Sequence, residues 1–481
     1  MGLPTNIVVI GAGSASFGEN TLSALVRSAR LRGSRLALVD HSPQNLDIVY
    51  RLAQRLNREW DAQMQISAHT QHAEALAGAE FVISAIEVGP REELWRQDYE
   101  IPLRFGVRQP YAENGGPGGF AHAARNIGPL MQIVRDMEQA CPQAWLINYT
   151  NPMIRICDAV NRHSRIRCVG LCHQIFAGYG MIGIALANDL GFYVPEGITG
   201  TYSDVIQYPL MTQVTKQAVQ RIEVRAAGLN HFTWALSIHD RQSGEDLYPL
   251  FRQRWAALSP DFEPLTRAVF DAFGIFPIPG DTHLCEYLPW MSNAETQPWK
   301  KYNIHLYDWE LFAGLRDFSL DRLSSMADGI MGIESLLDTD SEGALEMVEN
   351  IAGAGRHVHL AANLPNVGQI PNLPVGAAVE TPVVVSGAGV QPVLMEALPR
   401  SVAELCRREI TAVQLGVDAA AGAGRGVHAQ EAAGQAGALA HRHQAQVAAG
   451  LGIEARAVVA DVQHHAGDAA GELDLDPRGA G

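Results

Sequence analysis

Lysine is nearly missing from this 481-residue chain, occurring only at Lys216, Lys300 and Lys301. Arginine carries the positive charge. Acidic residues still outnumber Lys and Arg together, 52 to 36, for a formal net charge of −16. A surface of that sign repels phosphate backbones and anionic lipid, so nucleic acid and membrane surfaces are not expected partners. Long apolar runs are lacking too, and no stretch reads as bilayer-spanning. The start of the chain has neither a basic segment nor a cleavage motif, and a cytoplasmic protein is expected. Six cysteines, at 141, 157, 168, 172, 285 and 406, are too sparse for a disulfide framework. Reduced thiols are the simplest reading, and one of them is available as a metal ligand.

What is present is a regular alternation. Short apolar strand candidates fall at 6–10, 36–40, 81–86 and 144–148, with helix-like stretches at 46–60 and 125–140 between them. Strands of this kind separated by helices predict an α/β fold, with a doubly wound parallel sheet of Rossmann type. Residues 169–172 are a further strand candidate. Beyond about residue 200 the pattern changes. Residues 214–226 and 233–238 read as antiparallel or mixed strands, and 260–273 and 336–352 as helices. The reading therefore divides the chain into a Rossmann-type domain, 1–195, and an α+β domain, 196–420. Residues 421–481 form a tail dense in Ala, Gly, Gln and His, with poor periodicity and no aromatic residue. Its abrupt onset reads as frameshifted GC-rich coding.

The first strand runs into Gly11-Ala12-Gly13-Ser14-Ala15-Ser16-Phe17-Gly18, followed by a helix-like run. Glycine is needed where such a turn is tight and where backbone approaches a pyrophosphate, and the helix N-terminus then offers amide donors. Gly11, Gly13, Ser14 and Ser16 are the candidate phosphate cradle, with Ser16 where a third glycine is usual. Asp40, closing the second strand, is placed to bond ribose hydroxyls. NAD is the expected dinucleotide.

Several stretches taken together resemble glycoside hydrolase family 4. They are Glu113-Asn114-Gly115-Gly116-Pro117-Gly118-Gly119, Asn148-Tyr149-Thr150-Asn151-Pro152-Met153, Gly170-Leu171-Cys172-His173, Gly228-Leu229-Asn230-His231, and the run 363–380. They stand in family order with the glycine loop, over residues 5 to about 418. The resemblance is greatest to members acting on unphosphorylated sugars. Pro279-Gly280-Asp281-Thr282-His283-Leu284-Cys285-Glu286-Tyr287 is similar to the α-galacturonidases, while α-galactosidases share His-x-x-Glu-Tyr without Gly-Asp. Members acting on sugar phosphates usually carry a residue other than His173 after the cysteine.

The resemblance implies a fold like the lactate and malate dehydrogenase superfamily, an NAD- and manganese-dependent glycosidase, and a homodimer or homotetramer. It implies hydride transfer from sugar C3 to NAD, which makes the C2 hydrogen acidic, then elimination at C1, water addition and return of the hydride. Cys172 and His231 are the implied ligands of the divalent ion. Asp281 is the candidate base at C2, with Tyr287 next. His173 and Glu113 are the candidate leaving-group acids. Asn151 is a candidate donor to sugar hydroxyls or a helix cap. Arg125 meets an anionic substrate group or pairs with a carboxylate. His283 and Glu286, at i and i+3, would share a helix face and read as pocket or packing residues. The expected substrate is a small α-galacturonide, with an α-galactoside or α-glucoside as alternatives. An NAD-dependent 2-hydroxy-acid dehydrogenase is the rival reading; it needs no metal.

Overall fold

The computed structural model describes residues 3–109, 113–196, 198 and 208–423. The tail after 423, with its expected frameshift, lies outside the described residues.

The expected alternation is present. Strands β1 (Asn6–Ile10), β2 (Arg35–Val39), β3 (Gln65–His69), β4 (Phe81–Ser84), β5 (Trp145–Asn148) and β6 (Arg167–Gly170) pair in parallel, in the order β3-β2-β1-β4-β5-β6. That order is the Rossmann arrangement, whose ligands sit beyond the carboxyl ends of the strands. β4 and β5 are buried along their whole length, as apolar strands covered on both faces must be. Helices α1 (Ala15–Arg27), α2 (Pro43–Glu59), α3 (Arg91–Leu103), α4 (Gly116–Ala140) and α5 (Met153–His163) connect them. α2 shows how the sequence starts such a helix: Pro43 is at its first position and the Ser42 hydroxyl accepts from the Asn45 amide at 3.3 Å.

After β6 the chain runs through α6 (Gln174–Leu190) and α7 (Tyr208–Arg221) into a hairpin, β7 (Ile222–Leu229) and β8 (Phe232–Asp240). The expectation of a strand from 214 is corrected, since residues 214–221 finish a helix. α7 packs on α6, where Gly183 leaves no room for a side chain beside Val214 and Ala218. Tertiary contact overrides the weak helix propensity of Val214 and Thr215. α8 (Tyr248–Ala257), α9 (Pro264–Phe273), β9 (Phe276–Pro277), α10 (Gly280–Tyr287), α11 (Pro298–Lys301) and α12 (Trp309–Ala327) follow. The expected helix 336–352 is a broken region instead, with α13 confined to Ala344–Glu349. β10 (Arg356–Pro365), β11 (Ala378–Ser386), β12 (Gly389–Pro392) and α14 (Arg400–Ala423) complete the described chain.

The later strands extend the first sheet antiparallel. β10 joins β6 at Asn363 opposite Gly170, and β11 joins β7 at Glu380 opposite Gly228. The sheet thus continues across residue 195, which falls between α6 and α7. The carboxyl ends of β5 and β6 and the tip of the β7–β8 hairpin meet where these pairings occur.

Candidate active site

The glycine loop has the build of a phosphate cradle. Gly11 has φ +85°, and a Cβ there would stand 2.3 Å from the Ala85 carbonyl oxygen. A Cβ on Gly13 would stand 2.8 Å from the Asp40 carboxyl group. Asp40 is 7% exposed and braces the loop, its Oδ2 accepting from the Gly13 amide at 2.8 Å and its Oδ1 from Ser42 at 2.9 Å. α1 begins directly after, with Ser14 as its N-cap. The Ser14 hydroxyl makes no capping bond, so the first-turn amides are not satisfied by it. The Ser16 side chain lies outside the described residues.

Beyond β6, Cys172 Sγ faces His231 Nε2 at 3.2 Å. His231 is the second residue of a two-residue hairpin loop between β7 and β8 and has φ +59°. A left-handed histidine is strained, and the hairpin holds it so that the ring meets the thiol. Its Nδ1 lies 2.7 Å from the Asn114 side-chain amide. Turned carbonyl-first, that amide accepts from Nδ1–H and leaves Nε2 a lone pair, as a metal-binding imidazole requires. Burial and the nearby Glu380 push the Cys172 thiol up, while burial beside His283 and His173 holds His231 well below the usual imidazole range. A neutral imidazole beside a thiol, which a bound cation would help to ionise, is a donor set suited to a divalent transition ion.

Two more groups close on the pair. Ligand atoms of Glu113, His231 and His283 all lie within 4.8 Å of one another. The His283 ring stacks on His231 with centroids 4.1 Å apart. Glu286 anchors this side, its Oε1 meeting His283 Nδ1 at 3.1 Å and its Oε2 accepting from the Asn114 and Gly115 amides at 2.9 and 3.1 Å. Gly115 permits that approach, because a Cβ there would stand 2.3 Å from the Glu286 carbonyl oxygen. Glu113 is held twice: Asn151 Nδ2 donates to its Oε1 at 2.7 Å, and His122 Nδ1 donates to its backbone oxygen at 2.8 Å. His122 Nε2 meets the Glu87 carboxylate at 3.1 Å. Behind the cluster, Asn230 and Asn363 both donate to Glu380 Oε2, at 2.8 and 2.9 Å. His173, next to Cys172, faces Glu342 Oε1 with Nδ1 at 3.4 Å, and that carboxylate pushes its pKa up to about 9.

The structure therefore gathers Cys172, His231, His173, Glu113 and Asn151, and withdraws two candidates. Asp281 is fully buried, and both its oxygens accept helix amides, Oδ2 from Leu265 at 2.9 Å and Oδ1 from Thr266 at 2.6 Å. Glu263 returns the favour by accepting the Asp281 amide at 2.6 Å. Asp281 is a reciprocal cap between α9 and α10, and a carboxylate so engaged has no face toward a sugar. Arg125 forks onto the buried Asp98, with Nη1 to Oδ1 at 2.8 Å and Nη2 to Oδ2, so its charge is spent inside the fold. Asn151 is both things expected of it, since its Oδ1 also accepts from Met153 at the start of α5. Sequence reasoning undervalued His283 and Glu286 and missed Asn114 and Glu342. The i, i+3 spacing signalled the first two; nothing local marks Glu342.

Comparison with known families places the whole chain. The model described as Family 4 glycosyl hydrolase covers residues 6–185, and that of its C-terminal domain covers 226–432. The chain belongs to glycosyl hydrolase family 4. An alpha-glucosidase of Erwinia rhapontici is 29% identical over 462 residues, 87% of this chain and 90% of its own. An alpha-galacturonidase of Thermoanaerobacterium saccharolyticum is 27% identical, covering 84% of this chain and 85% of its own. A 6-phospho-alpha-glucosidase from gut microorganisms, solved in complex with NAD and Mn2+, superposes with a TM-score of 0.67 at 20% identity, over 86% of this chain and 90% of its own. For this family 4 chain, no described helix is long and apolar enough to cross a membrane.

Proposed function

We propose that this family 4 enzyme hydrolyses an unphosphorylated α-glycoside by reversible oxidation and elimination, with NAD on the Gly11–Ser16 loop and a divalent cation such as manganese between Cys172 and His231. The observation that carries the reading is the Cys172–His231 pair, 3.2 Å apart, beyond the strand ends of a Rossmann sheet. Bound there, NAD would take a hydride from the sugar and later return it, and the cation would draw charge from adjacent sugar oxygens.

The chain's own residues supply the proton steps. With C3 oxidised, the C2 hydrogen is α to a carbonyl and acidic. His283, its Nδ1 held by Glu286, takes that proton in place of Asp281, and the carboxylate stabilises the ring as it becomes charged. His173 gives a proton to the glycosidic oxygen as the C1–O bond breaks. Glu113, fixed by Asn151, accepts from a sugar hydroxyl and orients the ring. Water then adds at C1, and the C2 proton is restored before the ketone is reduced.

The expectation of a galacturonide leaned on the Gly280-Asp281 stretch, whose carboxylate is committed to the fold, and Arg125, the candidate for an anionic substrate group, is paired with Asp98. An uncharged α-glucoside or α-galactoside therefore ranks ahead of the α-galacturonide. Protein stripped of nucleotide and metal should not release nitrophenol from 4-nitrophenyl α-glycosides, and should recover on addition of NAD with Mn2+. Full activity in the stripped protein overturns the reading, and a preference for the galacturonide overturns the ranking. Net accumulation of NADH without nitrophenol would favour the dehydrogenase.

A further inference from the structure

Glu342 stands in a backbone state that a glutamate rarely holds. Its φ is +52°, and the following Gly343 has φ +94°. The positive φ at Glu342 is not needed to start α13, because the cap of that helix is Gly343. The strain is held from three sides. The Tyr149 hydroxyl, from the segment that closes β5, donates to the Ser341 carbonyl at 2.8 Å and lies 3.2 Å from that of Glu342. The Ser341 hydroxyl accepts from the Leu345 amide at 3.0 Å. The His359 ring of β10 fills the space above Gly343, where a Cβ would stand 2.3 Å from its Cε1. What this clamp presents is a carboxylate, with Oε1 3.4 Å from His173 Nδ1. Backbone strain maintained by unrelated elements marks a position whose direction matters.

We infer that Glu342 is the positioning residue for His173: the clamped Ser341–Gly343 turn aims a carboxylate at one ring nitrogen, so that the other faces the glycosidic oxygen. The inference rests on the proposed reading, in which His173 protonates that oxygen. It goes beyond the reading by assigning the ring's orientation to a residue from a distant part of the chain. The logic is that of a carboxylate behind an imidazole, where the second group fixes the ring and the first does the chemistry.

The test compares Glu342→Gln and Glu342→Asp with His173→Gln and the Glu342→Gln/His173→Gln double variant, all with saturating NAD and Mn2+. Each is assayed on a 4-nitrophenyl glycoside, whose leaving group departs without protonation, and on the methyl glycoside, whose leaving group needs it. Glu342→Gln should lower kcat on the methyl glycoside by about 10- to 100-fold, a share of the 10²–10⁴ typical of general acid catalysis. The nitrophenyl substrate and both KM values should change little, and Asp should restore part of the loss. On the His173→Gln background the same change should do nothing further, because both act through one proton. Equal losses on both substrates, or additive losses in the double variant, would mean that Glu342 only supports the fold and would overturn the inference. If wild-type enzyme proves independent of NAD and metal, the reading of the reaction fails instead. The two failures are therefore distinguishable.

Discussion

At the scale of single residues, Asp281 shows how one side chain is read two ways. An aspartate after Pro-Gly in a family stretch looks like a base; its partners, the amides of Leu265 and Thr266, lie 16 and 15 residues upstream and leave no trace in the local sequence. The two readings predict opposite outcomes. Asp281→Asn puts an amide NH2 against helix N–H groups, and should cost about 1–3 kcal/mol of stability, the usual penalty for a buried polar group left unsatisfied. Urea denaturation should show that loss with kcat close to wild type. A collapse of kcat with stability unchanged would restore Asp281 as the base. The nearness of Cys172 and His231, by contrast, was expected because family order placed them in motifs. Asn114 makes the argument from the other side. It holds His231 at 2.7 Å, and Asn114→Ala should weaken Mn2+ binding about 10- to 100-fold by calorimetric titration, as loss of a group orienting a metal-bound histidine does. Unchanged affinity would separate His231 from the metal.

At the scale of elements, the sequence was most readable where burial is two-sided. β1, β4 and β5 were legible as short apolar runs, and α2 as the helix-like stretch 46–60. It was least readable where tertiary contact sets the outcome, as in α7 and in the broken stretch around α13. The turn before α13 also carries a pH dependence. His359 is buried against Gly343, and burial with His357 nearby pushes its pKa down to about 4. The unfolded chain takes up that proton near the ordinary value of about 6.5, so acidification between those limits favours unfolding. The group should remove roughly 3 kcal/mol of stability as pH falls from about 7 to 4. The difference between wild-type and His359→Gln stability curves should show that slope. Parallel curves would mean that His359 is not held neutral.

At the scale of the whole described chain, one sheet carries both halves of the site. β6 supplies the approach to Cys172 and the β7–β8 hairpin supplies His231, with β10 and β11 hydrogen-bonded between them. α14 binds the halves again from outside, burying Val402, Cys406, Ile410 and Val413 in the same cluster as Ile127 and Leu130 of α4 and Ile156 of α5. It is pinned to α5 by Arg155 with Glu409 and by Arg162 with Asp418. The last described helix thus covers a face of the first half. Ribosomes add roughly 5 to 20 residues per second, so α4 and α5 wait on the order of 10 to 50 seconds for the segment that shields them. During that interval the nascent chain presents an apolar strip to whatever is nearby. Slowing synthesis should therefore lower the folded yield unless a chaperone is supplied, which a protease-resistance assay of chain made in cell-free translation would show.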